Sequence, residues 1–76
     1  MNKSQLRWQC RRGMLELDYL LESFLNDHFD GLNSTEQMQF KKLLGYQDRL
    51  ILNWLLGKSS PQDKQLLPLI KKMKMD

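Results

Sequence analysis

Apolar positions recur in the first half of the chain at Met14, Leu17, Leu21, Phe24 and Leu25, and His28 continues the row. That is the spacing of one face of an α-helix. The pattern predicts a helix from about Arg12 to Phe29, with Arg12, Glu16, Tyr19 and Ser23 on the opposite face and Gly13 at its flank. A glycine inside a helix costs about 1 kcal/mol relative to alanine. Two readings justify it here: a place in the first turn, where that cost is smaller, or the close approach of a partner's backbone.

The pattern then breaks and restarts. Gly31 is placed to close the main helix in a left-handed C-cap. Overlapping capping boxes, Asn33 with Glu36 and Ser34 with Gln37, open a helix carrying Met38, Phe40, Leu43 and Leu44, which ends near Gly45. Asp48 is placed to cap a short helix whose Ile51, Leu52, Trp54, Leu55 and Leu56 are apolar almost all round, so it is expected to be buried in the domain or against a partner. Gly57 stops it. Ser59 to Asp63 reads as a further helix start with Pro61 at the first position, and Pro68 predicts a kink or break near Leu67. The run from Lys71 to Asp76 is expected to fray.

Ahead of the main helix, Leu6, Trp8 and Cys10 alternate as in a strand, but no second strand exists to pair with them. A short helix capped by Ser4 is the better reading. The whole chain, 1–76, is expected to be a single all-α domain, a compact bundle of four to five short helices.

Charge changes this picture more through its order than through its sum of +3. Residues 1–12 hold Lys3, Arg7, Arg11 and Arg12 without an acid. Residues 13–40 hold Glu16, Asp18, Glu22, Asp27, Asp30 and Glu36 without a base, and bases dominate from Lys41 onward. Intramolecular compensation with a solvated basic tail accounts for this order better than a nucleic-acid surface, which gathers cations along one recognition element. With Cys10 as the only cysteine, the chain can form no internal disulfide and suits a reducing compartment. No signal peptide, transit peptide or membrane span is recognisable from Met1 onward. A bacterial cytosol and no membrane insertion are therefore expected.

Candidate chemistry is sparse. His28 has no second histidine or ligating cysteine, so a packed helix-end histidine is expected and no metal site. Cys10 has Arg7, Arg11 and Arg12 around it but lacks a base and an orienting group, which leaves it a small buried apolar residue. Glu16 and Asp18, two apart, point to different sides of a helix and form no acid–base pair. Arg12 and Glu16 at i, i+4 make at most a weak surface ion pair. No catalytic residue is assigned, and what remains is binding. Arg7, Trp8, Arg12, Gly13, Glu16 and Tyr19 combine charge, large aromatics and an open backbone, the mixture of an interface hot spot. Trp8 is open to a second reading, packing the first helix on the bundle, and Trp54 is expected in the core.

The run Leu6-Arg7-Trp8-Gln9-Cys10-Arg11-Arg12-Gly13-Met14-Leu15-Glu16-Leu17-Asp18 resembles the N-terminal signature of the succinate dehydrogenase flavinylation (assembly) factor family, marked by an Arg-Gly-x-x-Glu motif. Asp48-x-x-Ile51-x-x-Trp54-Leu55 resembles a later helix of that family, so the resemblance covers Leu6 to Gly57. Pro68 departs from the smoother closing helix of family members.

The resemblance implies a small helical assembly chaperone rather than an enzyme. It would bind the flavoprotein subunit of succinate dehydrogenase, and often of fumarate reductase, and promote covalent attachment of FAD to a histidine of that subunit. By the motif, Arg12, Gly13 and Glu16 would be contact residues, with Arg11 and Asp18 as neighbours. The FAD would belong to the partner, leaving this chain no cofactor of its own. Self-association through the motif face in the partner's absence is a further expectation. Two other classes stay open: a nucleic-acid-binding regulator and an antitoxin-like module.

Overall fold

The computed structural model describes residues 3–74. Five helices follow one another: α1 (Lys3–Gln9), α2 (Leu15–Asp27), α3 (Ser34–Leu43), α4 (Asp48–Leu55) and α5 (Leu67–Lys74). Short 3-10 turns at Phe29–Gly31 and Lys64–Leu66 lie after α2 and before α5, and there is no strand among the described residues. The sequence reading of an all-α bundle with four to five helices is met.

The helical stripe of α2 faces inward as its spacing requires. Leu17, Leu21, Phe24 and Leu25 are buried against Leu6 from α1, Cys10 just after it, Phe40 and Leu43 from α3, and Ile51 from α4. Phe24 and Phe29 flank Phe40 with ring centroids 5.6 and 5.8 Å away. Tyr46 meets the edge of Trp54 at 5.1 Å and closes the α3–α4 corner. Each such fully buried side chain contributes about 1.5–3 kcal/mol. In a chain this short the core leaves little surplus, so polar ties between elements matter.

Several local expectations are corrected, each for a physical reason. The main helix begins at Leu15 rather than Arg12, because the backbone before it turns through Gly13 at φ +81°. Gly31 takes no left-handed C-cap conformation. The chain instead tightens into a 3-10 turn, in which the Gly31 N–H donates to the His28 carbonyl at 3.0 Å. His28 is exposed, with its ring 5.3 Å from Phe24. The Asn33–Glu36 capping box forms in both directions. Its overlapping alternative does not, since the Gln37 amide donates to the Phe29 carbonyl at 3.1 Å.

Ser4 lies within α1 rather than ahead of it. Asp48 is the first residue of α4, with Gln47 in the capping position. That helix buries Ile51 and Trp54 but leaves Leu50 and Leu56 partly in solvent, so it is not covered all round. Gly57 ends it in the left-handed conformation at φ +78°, as its position suggested.

No helix starts at Ser59 to Asp63. Pro61 is buried in an irregular connection, and the cap is Asp63, whose carboxylate accepts from the Gln65 N–H at 3.0 Å. The break near Leu67 takes the form of the junction between the 3-10 turn and α5. Pro68 is the second residue of α5, in the first turn where proline's fixed φ is tolerated. Helix α5 continues through Lys74, and the fraying expected at Met75 and Asp76 falls outside the described residues.

Candidate partner-binding surface

The turn joining α1 to α2 is built around Arg12. Its guanidinium does not reach toward Glu16. It crosses to the α3–α4 connection, where Nη1 donates to the Tyr46 carbonyl at 3.1 Å and to Asp48 Oδ1 at 3.0 Å, and Nη2 donates to the Leu44 carbonyl. Nε donates back to the Gln9 carbonyl at 2.7 Å. The side chain is 13% exposed. The expectation that Arg12 stands with Glu16 on an outward stripe without an internal role is therefore corrected. Arg12 fastens the first turn to the second half of the chain.

Asp18 completes the turn. Its carboxylate accepts from the Arg12 N–H at 2.7 Å and the Gly13 N–H at 3.3 Å, tying down two backbone donors ahead of the helix. Gly13 sits between these clamps with φ +81°, and a Cβ added there would have nothing within 4 Å. The glycine is thus required by backbone conformation rather than by crowding from its own chain, and its Cα faces open space. A partner's backbone would meet no side chain there.

The clamped turn fixes what lies around it. Trp8 is 74% exposed, so the reading of Trp8 as a packing residue of α1 gives way to an outward-facing indole. Arg11 places its guanidinium 5.7 Å from the Trp8 ring centroid and its Nε 3.6 Å from Glu22 on α2, a bridge between the two helices. Arg7 donates to the Asn26 side chain at 2.8 Å on the same side of α1. Ser4, Arg7, Trp8 and Arg11 line a shallow depression of about 190 Å³. On α2, Glu16 is exposed and Tyr19 is 71% exposed.

Sequence reasoning missed one member. Leu15 is 87% exposed, the most solvent-facing of the large apolar side chains among the described residues, and lies at i, i+4 from Tyr19. The signal was present, because Leu15 falls off the inward row of Met14, Leu17 and Leu21. Glu22 was likewise counted only as charge. The surface therefore joins Trp8, Arg11, Leu15, Glu16 and Tyr19 as outward groups, with Arg12, Gly13 and Asp18 behind them as the frame.

The rest of the chemistry is quiet. Cys10 is fully buried, and burial together with the Glu22 carboxylate pushes its thiol up to about 11, so it is a thiol at neutral pH. Among the described residues no three His, Cys, Asp or Glu side chains gather as a metal site, and no helix is long and apolar enough to cross a membrane. The charge blocks pair internally, through Lys3–Asp30, Arg11–Glu22 and Arg12–Asp48 from the basic end and Lys42–Asp63 and Lys72–Glu36 from the later half.

A small helical bundle that uses a half-buried arginine to hold an aromatic, charged face in place has the build of a protein-binding module. The chain belongs to the family described as the flavinator of succinate dehydrogenase, whose sequence model matches residues 4–76. It is 44% identical over 69 residues to the FAD assembly factor SdhE of Coxiella burnetii, covering 91% of this chain and 84% of that protein. It is 43% identical over 68 residues to the SdhE of Legionella pneumophila, covering 90% and 85%. To the SdhE of Yersinia pseudotuberculosis it is 39% identical over 70 residues, covering 92% and 80%. The nucleic-acid and antitoxin-like readings draw no support from these relatives.

Proposed function

We propose that this chain is an assembly factor for succinate dehydrogenase that binds the flavoprotein subunit and promotes the covalent attachment of FAD to it. The reading is supported by the relatives, which are named FAD assembly factors and are matched over 84% and 85% of their length, and by the flavinator family. The observation that supports the reading most directly is the clamp of Arg12 and Asp18, which holds an exposed aromatic and charged face at fixed geometry. Preorganisation of that kind lowers the ordering cost of binding.

The contact is made by Trp8, Leu15 and Tyr19 as apolar anchors, with Glu16 and Arg11 as charges and Arg7 at the edge. Gly13 admits the partner's backbone. Arg12 and Asp18 position the face. FAD supplies the chemistry of attachment and belongs to the partner, so this chain has no cofactor and no catalytic residue of its own. Its residues bind the conformer of the subunit in which flavin and acceptor histidine are aligned, and so raise that conformer's population. Fumarate reductase is a second client, the site of action is the bacterial cytoplasm, and the free factor is a monomer whose motif face also allows a dimer.

The test is a reconstitution of purified apo flavoprotein subunit with FAD, in which covalent flavin is read by in-gel fluorescence after denaturation. Wild type accelerates labelling, and a folded Glu16→Arg variant does so less. Equal labelling with and without the protein, and no complex on a sizing column, would overturn the reading.

A further inference from the structure

A second surface shares no residue with the face just described. Between α4, the connection after Gly57 and α5 lies a cleft of about 500 Å³, within the range of ligand-sized sites of about 300–1,000 Å³. Its apolar part comes from Trp54, Pro61 and Ile70, and Leu67 and Pro68 form its lip, with Leu67 still 39% exposed. A domain this small gains by closing such a cleft over its core, yet this one stays open.

Two observations say what would fill it. The rim carries Lys71 and Lys74, neither of which has an acidic partner among the described residues. Lys72, between them in sequence, is by contrast held by Glu36 of α3. The cationic edge therefore lines the cleft without an acidic partner, the Lys74 ammonium lying beside Gly57 at the end of α4. The wall of the cleft is Ser59 and Ser60, in irregular backbone that makes no hydrogen bond to another described residue. Exposed backbone donors and acceptors beside an apolar floor suit an extended peptide, which pairs its main chain and drops alternate side chains into the cleft.

We infer that the cleft between α4 and α5 is a second docking site, for an extended segment of the flavoprotein subunit that combines apolar and acidic side chains. The inference rests on the assembly-factor reading and names an additional point of contact with the same partner. A second copy of this chain fits poorly. Apart from Asp63, the described acids lie in helices or in the 3-10 turn after α2, so a copy offers no extended acidic stretch among the described residues. A modest second contact tethered to the first adds affinity through effective concentration. It would also orient the factor on the subunit.

The experiment places the photoreactive residue p-benzoylphenylalanine at Leu67, and separately at Trp8, in the full chain mixed with purified apo flavoprotein subunit. Cross-linked peptides are mapped by mass spectrometry. The expected result is a cross-link from Leu67 to an acidic, apolar segment of the subunit, distinct from the Trp8 site. A folded Lys71→Glu/Lys74→Glu variant then loses the Leu67 cross-link and binds about tenfold more weakly, as reversal of two charges across an interface allows. Its Trp8 cross-link survives. A probe at Leu67 that is silent or captures another copy of this chain, while the Trp8 probe labels the subunit, overturns the inference alone. So does unchanged affinity in the double variant. If wild type forms no complex with the subunit, the assembly-factor reading falls and this inference falls with it.

Discussion

Arg12 and Asp48 meet at 3.0 Å although 36 residues separate them, and the same guanidinium also binds the Tyr46 and Leu44 carbonyls. One side chain thus serves a carboxylate and two main-chain acceptors at the corner between α3 and α4. Removing it strands those acceptors in a partly buried site, the costly way to break such a group. Arg12→Ala is expected to lose about 2–4 kcal/mol of stability, close to the whole reserve of a chain this size. Arg12→Lys keeps the charge but not the fork, and should lose about half as much. Urea unfolding followed by circular dichroism measures both. A loss within 0.5 kcal/mol for Arg12→Ala would show that the clamp is ornamental.

Gly13 lies in the same turn at φ +81° with open space where a Cβ would go. Gly13→Ala should destabilise by about 1 kcal/mol through backbone strain alone, and Gly13→Asn by less, because asparagine tolerates the left-handed region. Both variants place a side chain where a partner's backbone would approach. Binding to the flavoprotein subunit should then fall in both, whatever their difference in stability. If Gly13→Asn binds as wild type does, the glycine serves conformation only. Thermal melts beside isothermal titration separate the two effects.

The sequence made the helices legible and the turns much less so. The inward row from Leu17 to Leu25, the Asn33–Glu36 box and the Gly57 stop all follow from spacing or local chemistry, and each is present. The start of α2 was misplaced because Arg12 and Gly13 extend the helical pattern, while the forces that bend them away come from Asp18 and from Asp48. The first of these acts backward along the chain, and the second acts across the fold. Spacing along one strip of sequence carries no trace of a partner 36 residues off. The same gap hid the direction of Arg12 and led to an outward reading. Leu15 is hidden for the opposite reason: it lies off the row that marks the core, and a single apolar residue off that row has no spacing of its own to reveal it.

The buried Cys10 thiol, pushed up to about 11 from 9.0 by desolvation and Glu22, sets a response to alkaline pH. The folded state holds the proton more tightly than the unfolded chain. Its contribution is therefore complete below the unfolded value near 9 and is lost as pH rises toward 11, amounting to about 2 kcal/mol. Stability measured from pH 8 to 11 should fall faster in wild type than in Cys10→Ala. A thiol reagent at pH 8 should react with Cys10 only as fast as the protein unfolds. Immediate stoichiometric labelling of the native protein would contradict the burial.

Two exposed pairs set the acid limit. Lys72 holds the Glu36 carboxyl below its ordinary value, and Lys42 does the same to Asp63, tying α3 to α5 and to the 3-10 turn before it. A depressed carboxylate stabilises the fold above its unfolded value and ceases to as pH falls through the folded one. Glu36→Gln should thus be less stable than wild type at neutral pH and converge with it in acid, as pH falls through the lowered folded-state value. Salt should narrow the neutral-pH difference, since both groups are exposed. A difference that persists unchanged at low pH would show that the effect does not come from the charge of Glu36, whose carboxylate both Lys72 and the Asn33 N–H hold down.

Leu15 and Tyr19 stand 87% and 71% exposed one helical turn apart, and no internal contact requires them to be apolar. Replacing them should leave the fold intact, because truncation of exposed side chains changes stability by no more than about 0.5 kcal/mol. If they anchor a partner, the same changes remove apolar area that only the complex buries, and hot-spot aromatics and their neighbours typically cost about 2 kcal/mol or more on truncation. Leu15→Asp and Tyr19→Ala are therefore expected to weaken binding to the flavoprotein subunit by about thirtyfold each, with unfolding midpoints unchanged. Arg11→Ala should act less strongly and partly through Trp8, whose ring it covers at 5.7 Å. Titration of the subunit with each variant, beside urea unfolding of the free protein, distinguishes an interface from a mere exposed patch. Normal binding by both Leu15→Asp and Tyr19→Ala would move the contact off α2 and back onto α1 alone.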